Sequence, residues 1–304
     1  MSDHIEHYLE QLKTQLAGAD RATIQDALSD AEEHLRTAFT QSRRDHPDTD
    51  ESSVSQTVIE EFGSPEDVAA AYREMELRAG PVLAARPPAA AAKREANGER
   101  SFSTRFFGVF VDPRAYAALF YMLTSLITGV LYFTWATTGI SLSLGLIVLI
   151  IGLPFILVFL LSIQGIALVE GRVVEALLGV RMPRRPIFSS PHLGFWGRLR
   201  ALVSDKLSWT TLLYMVVQLP LGILYFTVFI TMLSLGLAGI AYPVVRIFAD
   251  VPVMQFGEYQ FFPPMWFYPI VVLVGAVWIL VTLHLALLAG RAHGALAKLL
   301  LVRD

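Results

Sequence analysis

The chain has no cysteine among its 304 residues. Disulfide bonds, zinc sites built on cysteine and thiol redox chemistry are therefore excluded. The sequence also lacks a phosphate-binding glycine loop, a nucleophile elbow and a zinc-protease motif, which would mark common enzyme classes. His4, His7, His34 and His46 do not have the spacing of metal ligands. We expect a protein that is not an enzyme and that has no catalytic residue, cofactor or metal.

Charge is absent from three long stretches. No Asp, Glu, Lys or Arg occurs at residues 115–169, 207–245 or 259–290. Placing a charge near the centre of a bilayer costs roughly 2.5–3.5 kcal/mol of free energy. Uncharged stretches of this length therefore indicate segments that lie in lipid. Because about 20 apolar residues cross a bilayer, the sequence predicts four spanning helices. Their predicted bounds are residues 116–137, 140–169, 212–231 and 269–289.

Two features of these spans concern their ends. Thr138 and Gly139 form the predicted turn between the first and second helices. Residues 234–248 form a doubtful short helix, because about 15 residues cannot cross a bilayer. The sequence leaves open whether this segment is re-entrant, interfacial or spanning.

A stretch of 23 residues occurs twice. Residues 112–134 and 205–227 are identical at ten positions, among them a Tyr-Met pair, a glycine and the run Leu-Tyr-Phe-Thr. Leucine matches are common in apolar sequence, but these matches at one offset of 93 residues are not. We therefore predict a duplicated membrane domain with two helices in each copy. Since each copy has an even number of spans, the copies are related by an axis along the membrane normal.

Basic residues flank particular ends of the predicted spans. They precede the first span, fill the segment between the second and third, and follow the fourth, whereas the opposite side has only Arg246. Lys and Arg concentrate on the cytoplasmic side of membrane proteins. We therefore predict a multi-pass protein of the cell membrane with both termini in the cytoplasm.

The N-terminal part has a different composition. The first 80 residues carry 18 Asp and Glu against 7 Lys and Arg. Apolar residues recur there at helical spacing, and the predicted caps Asp20 and Ser64 and the helix-ending Gly63 separate the runs. The predicted core residues are Ile5, Tyr8, Leu9, Leu12, Leu16, Ile24, Ala27, Leu28, Ala31, Leu35, Ala38, Val54, Val58, Ile59, Phe62, Val68, Ala69, Tyr72 and Met75.

These patterns predict an all-α protein with two parts. Residues 1–79 form a small acidic cytoplasmic bundle of helices, and residues 101–304 form the duplicated four-helix transmembrane domain. Residues 80–100 are rich in Ala and Pro, which is typical of a flexible or semi-extended linker.

Two parts of the chain resemble known families. Residues 60–69, which read EEFGSPEDVA, and the helical pattern before them resemble the HAAS domain. Residues 151–154, residues 170–180 and the entry to the third span at Trp209 and Tyr214 resemble the “Putative sensor” domain of actinobacterial membrane proteins. The first resemblance implies a signalling domain paired with a PadR-like transcription regulator. The second implies a membrane sensor module, of a kind often found ahead of histidine kinases.

The loop at residues 250–268 is a candidate signal or ligand surface. It reads DVPVMQFGEYQFFPPMWFY and occurs only in the second copy. The alternative is an aromatic belt with a lid that rests on the bilayer surface. The candidate residues are Phe256, Tyr259, Phe261, Phe262 and Trp266.

Charged residues at the inner ends of the spans are candidates for signal coupling. They are Glu170, Arg172, Arg184, Arg185 and Arg291. The alternative is that these side chains reach the bilayer surface only to keep their charges in water. The polar residues Gln164, Gln218 and His284 lie within predicted spans and are either functional or packing groups.

We also expect the acidic bundle to dock weakly on the basic inner segment. Glu60, Glu61, Glu66 and Asp67 are the predicted acidic partners. The predicted basic partners are Arg181, Arg184, Arg185, Arg198 and Arg200. The alternative is that these arginines contact lipid phosphates. Exposed pairs contribute only about 0–1 kcal/mol each, so such docking would depend on salt.

Three functions fit the sequence. The first is a membrane sensor or signalling adaptor, the second a small permease or transporter accessory subunit, and the third a membrane scaffold. Pro154 and Pro243, which we expect to interrupt helices, favour the second. The family resemblances favour the first, with the lipid bilayer and a cytoplasmic protein as partners. A homo-oligomer is left open. The acidic bundle would repel phosphate, so we expect no direct contact with nucleic acid.

Overall fold

The computed structural model describes residues 2–47, 49–78, 106–149, 152–184, 194–249 and 251–302. The chain divides into two compact units. The first contains the described residues of 1–84, 138–214 and 295–304, and the second those of 85–137 and 215–294. The predicted linker at residues 80–100 lies outside the described residues.

The N-terminal part of the first unit is a bundle of four helices. These are α1 (Ser2–Gln15), α2 (Arg21–Asp45), α3 (Glu51–Phe62) and α4 (Pro65–Arg78). The predicted core is confirmed for most positions, since nine side chains form one buried cluster and eight more pack against it. Met75 is the exception, because its side chain is 58% exposed. It lies in the last turns of α4.

Local capping explains where the helices of the bundle begin and end. The Asp20 carboxylate accepts a hydrogen bond from the Ala22 amide at 2.9 Å, as an N-cap does. Gly63 has φ +106° and ends α3. The Ser64 hydroxyl then accepts from the Asp67 amide at 3.2 Å at the start of α4. Tyr8 donates to the Gly63 carbonyl at 3.0 Å, and burial raises the pKa of its hydroxyl to about 12.

Four of the described helices are long and apolar enough to cross a membrane. They are α5 (Pro113–Leu146), α6 (Gly152–Leu178), α8 (Lys206–Phe248) and α9 (Tyr268–Leu301). A shorter helix, α7 (Phe195–Ser204), precedes α8, and 3₁₀ turns at Gly108–Val111 and Met265–Phe267 precede α5 and α9. The strands β1 (Met254–Phe256) and β2 (Tyr259–Phe261) form an antiparallel hairpin between α8 and α9. The predicted all-α class and the four apolar helices are confirmed.

The turn predicted at Thr138 and Gly139 is wrong, because both residues lie inside α5. A Cβ atom added at Gly139 would lie 1.9 Å from the Phe159 ring of α6. The glycine therefore permits close helix packing and does not make a turn. The second span begins at Gly152. Pro154 lies in the first turn of α6, where a proline removes no helical hydrogen bond, so it does not interrupt that helix.

The doubtful segment at residues 234–248 is the C-terminal part of α8 and is continuous with the third predicted span. The helix passes through both Pro220 and Pro243. Apolar surroundings favour a continuous helix across a proline, because a backbone that left the helix would expose many more unpaired polar groups. At about 1.5 Å per residue, α8 is far longer than the roughly 30 Å of a bilayer core.

Glycines set the helix contacts of the second unit. A Cβ atom at Gly129 of α5 would lie 2.7 Å from the Gln218 carbonyl oxygen, and one at Gly222 of α8 would lie 2.4 Å from the Ser125 carbonyl oxygen. These two contacts are related by the 93-residue offset of the sequence repeat, and both glycines meet backbone that cannot move aside. Gly236 and Gly275 make a similar close contact between α8 and α9. The duplication itself stays a prediction.

Candidate functional site

A group of charged side chains joins the acidic bundle to the end of a membrane-type helix within the first unit. Asp26 of α2 lies 3.0 Å from the Arg181 guanidinium and accepts a hydrogen bond from the Arg184 backbone amide at 2.6 Å. Asp26 is only 6% exposed. This carboxylate therefore fixes α2 against the segment that follows α6.

Glu175 of α6 is the second carboxylate of this group. It contacts the guanidinium groups of Arg172 at 2.6 Å, Arg181 at 3.3 Å and Arg184 at 3.2 Å. Glu175 is 7% exposed, and Arg181 bridges it to Asp26. We call Asp26, Arg172, Glu175, Arg181 and Arg184 the charged cluster. It contains two carboxylates and three guanidinium groups.

The local sequence explains why the charged cluster forms. The helix α6 ends at Leu178, and Gly179 follows with φ +69°, which is the left-handed conformation that glycine adopts after helix ends. The chain then returns, so that Arg181 and Arg184 reach Glu175 on the last turn of α6. Two backbone carbonyls take further donors, since Arg172 donates to Pro183 at 3.3 Å and Arg181 to Met182 at 3.0 Å.

The two carboxylates of this cluster are paired where water is largely excluded. Removing a carboxylate from water costs several kcal/mol, and this cost is repaid only when the partners and hydrogen bonds are in place. Arg184 remains 42% exposed and Arg181 is 15% exposed, so the cluster lies at a boundary with solvent. It favours one docked position of the bundle, and the loss of one carboxylate leaves three guanidinium groups with a single carboxylate partner.

A second contact supports the docked position. The Lys298 ammonium group, near the end of α9, contacts the Asp20 carboxylate, whose other oxygen caps α2. Two carboxylates at the start of α2, those of Asp20 and Asp26, therefore contact the chain beyond the bundle. Asp20 and Lys298 are more exposed than Asp26 and Glu175, so this pair contributes less.

The docking surface differs from the predicted one. Glu60, Glu61, Glu66 and Asp67 are all exposed, and Asp67 is engaged by the Ser64 cap of α4. The prediction followed the density of acidic residues along the sequence. Docking instead uses Asp26, which is buried on α2, and Asp20, which is the N-cap of that helix.

The predicted coupling residues separate in the structure. Arg172 and Arg184 belong to the charged cluster, whereas Arg185 lies outside the described residues. Glu170 is buried on α6 and accepts a hydrogen bond from the Tyr214 hydroxyl of α8 at 2.8 Å. Arg291 lies in the second unit and is exposed.

A small cavity lies beside these contacts in the first unit. Its volume is ≈ 30 Å³, which admits a water molecule. Polar lining comes from Gln25 of the bundle, Gln164 of α6 and Thr211 of α8. The Gln164 side-chain oxygen is buried and has no hydrogen-bond partner among the described residues. The predicted polar residue Gln164 thus lies where the bundle and two membrane-type helices meet.

The other polar residues of the predicted spans lie in the second unit. His284 bonds the Leu280 carbonyl at 2.9 Å through Nδ1 and stacks on the Phe106 ring at 5.2 Å between centroids, which is a packing role. Gln218 is fully buried at the crossing of α5 and α8. His293, which the sequence did not single out, is buried and bonds the Tyr121 hydroxyl through Nε2 at 2.7 Å.

The predicted signal loop forms the β1–β2 hairpin and the 3₁₀ turn after it. Phe256, Tyr259 and Phe261 are in the strands and are exposed. Phe262 is partly covered, with the Arg246 guanidinium 5.0 Å from its ring centroid. Trp266 is exposed in the 3₁₀ turn. The structure places all five together in the second unit.

Sequence reasoning assigned no role in these contacts to Asp20, Asp26, Glu175, Tyr214 or Lys298. Asp26 could have been found, since it interrupts the apolar face of α2 beside Ala22 and Ala27, both of which are buried. Glu175 stands among apolar residues at the end of a spanning helix with three arginines nearby in sequence. A charge in either setting needs a partner.

Comparisons with known proteins agree with the two predicted resemblances. The family model “Putative sensor” matches residues 121–301, which is more than half of the chain. The HAAS family model matches residues 7–71, which covers most of the four-helix bundle. No curated protein matches the chain. No solved structure matches it either.

Proposed function

Because the chain belongs to the “Putative sensor” family and carries a HAAS match at its N-terminal bundle, we propose that it is a membrane signalling adaptor. In this proposal the spanning helices receive a signal from the membrane or cell envelope. The bundle passes the signal to a cytoplasmic protein when it leaves its docked position. The role requires no catalytic residue, cofactor or metal.

The contact of Asp26 with Arg181 and the Arg184 amide carries this proposal. It couples the HAAS part of the chain directly to the end of α6. A movement of α6 or of the segment after it would separate Asp26 from both donors. Because a carboxylate without these partners is costly in a buried place, the bundle would then leave the site. A ligand or stimulus shifts such an equilibrium only by its preference for one of the two states.

The proposed partner is a protein and not a nucleic acid. The first 80 residues carry a net charge of −11, from 18 acidic and 7 basic residues, which repels phosphate. The family resemblance implies a PadR-like transcription regulator.

The test compares partner binding by three forms of the full-length protein in membranes. Asp26→Arg places a cation against Arg181 and should release the bundle, so it should bind a purified PadR-like regulator more tightly than the native protein. Glu66→Arg makes the same charge change on an exposed part of the bundle and is the matched control. Equal binding by the native and Asp26→Arg proteins would contradict the proposed release.

We further propose that both termini lie in the cytoplasm. The basic residues Arg172, Arg181, Arg184 and Lys298 accompany the ends of α6 and α9 that contact the bundle, in keeping with the cytoplasmic bias of positive charge. Reporter fusions after Asp304 should report the cytoplasm, and an insertion at Gly257 should report the outside. An external signal from the Asp304 fusion would contradict this topology.

A further inference from the structure

The loop between α8 and α9 folds as a two-stranded ribbon with a tight turn. Phe256 pairs with Tyr259, so the turn consists of Gly257 and Glu258 alone. Gly257 has φ +59°, the conformation that favours glycine at the first central position of a hairpin turn. The register of the ribbon is therefore fixed by its turn.

This register gives the ribbon two different faces. Directly paired residues share a face, and alternate residues along a strand point to opposite sides. Met254 pairs with Phe261 and Phe256 with Tyr259, so these four large side chains lie on one face. Gln255 pairs with Gln260, so the other face carries two amides. The hairpin is amphipathic.

The apolar face is open. Tyr259 is 85% exposed and Phe256 73%, and the side chains of Met254 and Phe261 are also more than half exposed. Soluble proteins rarely expose contiguous apolar patches of this kind without an occupant. The face therefore needs a covering that the described residues of the second unit do not supply.

Continuity with the spanning helices identifies the covering. Ile247 and Phe248, in the last turn of α8, are exposed apolar residues immediately before the hairpin, and α9 begins at Tyr268 just after it. The Tyr242 hydroxyl of α8 donates to the Val251 carbonyl at 3.3 Å, and the Tyr242 and Tyr268 rings lie 5.7 Å apart. The base of the hairpin is thus held at the ends of two helices whose surfaces suit lipid.

The chemistry of the hairpin also fits lipid better than a charged partner. Between residues 251 and 267 the sole charged residue is Glu258, which lies in the turn. Tyr and Trp concentrate where a bilayer meets water, because their rings are apolar and their polar groups remain wet. A face of Met, Phe and Tyr carries no charged group with which a charged protein partner could pair.

We propose that the face formed by Met254, Phe256, Tyr259 and Phe261 is a lipid-binding surface that lies in the interfacial layer of the bilayer. Gln255 and Gln260 face water or headgroups on the other side of the ribbon. The proposal requires that α8 and α9 cross a membrane and holds whether or not the chain signals. The ligand of this loop is then the bilayer surface.

The native chain has no cysteine, so a spin label at one introduced cysteine reports on one position. We would label Phe256→Cys and Tyr259→Cys on the apolar face and Gln255→Cys and Gln260→Cys on the amide face. Each protein is reconstituted in vesicles of phosphatidylcholine and phosphatidylglycerol. Labels at 256 and 259 should be more accessible to oxygen, which dissolves in lipid, than to a water-soluble nickel reagent, and labels at 255 and 260 should show the reverse.

A second measurement uses the native sequence and avoids any effect of the label on the hairpin. Hydroxyl radicals generated in water oxidise exposed methionines. Met254 is 54% exposed and Met75 of the bundle 58%, so they should react alike if both face water. In vesicles opened to radicals on both sides, Met254 should oxidise several-fold more slowly than Met75. Equal oxidation, together with water-accessible labels on both faces, would overturn the proposal and favour a soluble ligand or partner.

Discussion

Two tyrosines separated by 93 residues make corresponding contacts in the two units, but with different chemistry. In the first unit the Tyr214 hydroxyl donates to the Glu170 carboxylate at 2.8 Å. In the second unit the Tyr121 hydroxyl and the His293 ring share a hydrogen bond of 2.7 Å, and the Tyr225 ring packs against the same histidine. Each tyrosine lies near the start of its own long helix, α5 or α8, and contacts a side chain of another helix.

The different partners of the two tyrosines show which unit buries an acidic side chain. The unit that holds the acidic bundle uses a carboxylate at this position and continues, five residues later, to Glu175 of the charged cluster. The unit that holds the hairpin uses the imidazole of His293 for its tyrosine contact. Both units bury a tyrosine hydroxyl against a polar side chain of another helix, and the chemistry of that side chain differs.

The largest expected effect comes from breaking the charged cluster of the first unit. Glu175→Gln leaves three partly buried arginines with one carboxylate among them, and removal of one partner from a buried pair costs about 3–5 kcal/mol. We expect the loss in free energy of unfolding to lie near the lower end of this range, because Arg184 is partly exposed. Thermal unfolding of the purified protein in lipid nanodiscs would show a clearly lower midpoint. The exposed control Glu66→Gln should leave the midpoint unchanged, and an equally small effect of Glu175→Gln would contradict the prediction.

The glycine crossing should be equally sensitive at both of its positions. Ala at Gly129 or Gly222 brings a Cβ atom within 3 Å of fixed backbone, and such overpacking costs about 1–3 kcal/mol. Gly165 of α6 has open space around its Cα, so Gly165→Ala should be neutral or slightly stabilising. Thermal unfolding of each variant in lipid nanodiscs would measure these changes in stability. Tolerance of alanine at either crossing position would mean that the helices do not approach as described.

The tyrosine pair should respond unequally. Tyr214→Phe removes a donor from a buried carboxylate, whereas Tyr121→Phe removes one hydrogen bond to an imidazole. Bonds to charged groups contribute about 1.5–3 kcal/mol, while polar contacts inside membranes average about 0.6 kcal/mol. Tyr214→Phe should therefore destabilise the protein more than Tyr121→Phe does. Equal losses would show that the two contacts are chemically equivalent after all.

The smallest expected loss of stability comes from breaking the ion pair between Asp20 and Lys298. Asp20→Asn keeps a good N-cap for α2 but removes the charge that contacts Lys298. We expect a loss of about 0–1 kcal/mol that disappears at high salt, because the pair is partly exposed and ions screen it. Urea unfolding at low and high ionic strength would measure it. A loss that persists at high salt would assign the effect to the cap and not to the ion pair.

Much of this fold follows from sequence patterns that act locally. The caps at Asp20 and Ser64, the end of α3 at Gly63 and the buried apolar face of the bundle depend on neighbouring residues, and they were predicted correctly. The four apolar helices follow from the absence of charge. The turn at Thr138 and Gly139 was wrong because a glycine that permits helix packing looks the same in sequence as one that makes a turn.

The docking site could be predicted only in outline. Opposite net charges of the bundle and the inner segment indicated attraction, and Arg181 and Arg184 were named correctly. Asp26 was not predicted. The carboxylate that takes part in docking depends on which face of α2 is shielded from water, and this is a property of the folded unit. The hairpin faces likewise depend on register, which the aromatic content of the loop does not reveal.

The docked position of the bundle is tested most directly by a distance measurement between two spin labels in the first unit. Exposed Glu10 of α1 and exposed Leu299 of α9 are changed to cysteine in a chain that has no other. In membranes the native background should give one narrow distance distribution, Asp26→Arg should broaden it, and Arg181→Asp added to Asp26→Arg should narrow it again. A distribution that is already broad, or that Asp26→Arg leaves unchanged, would contradict the account.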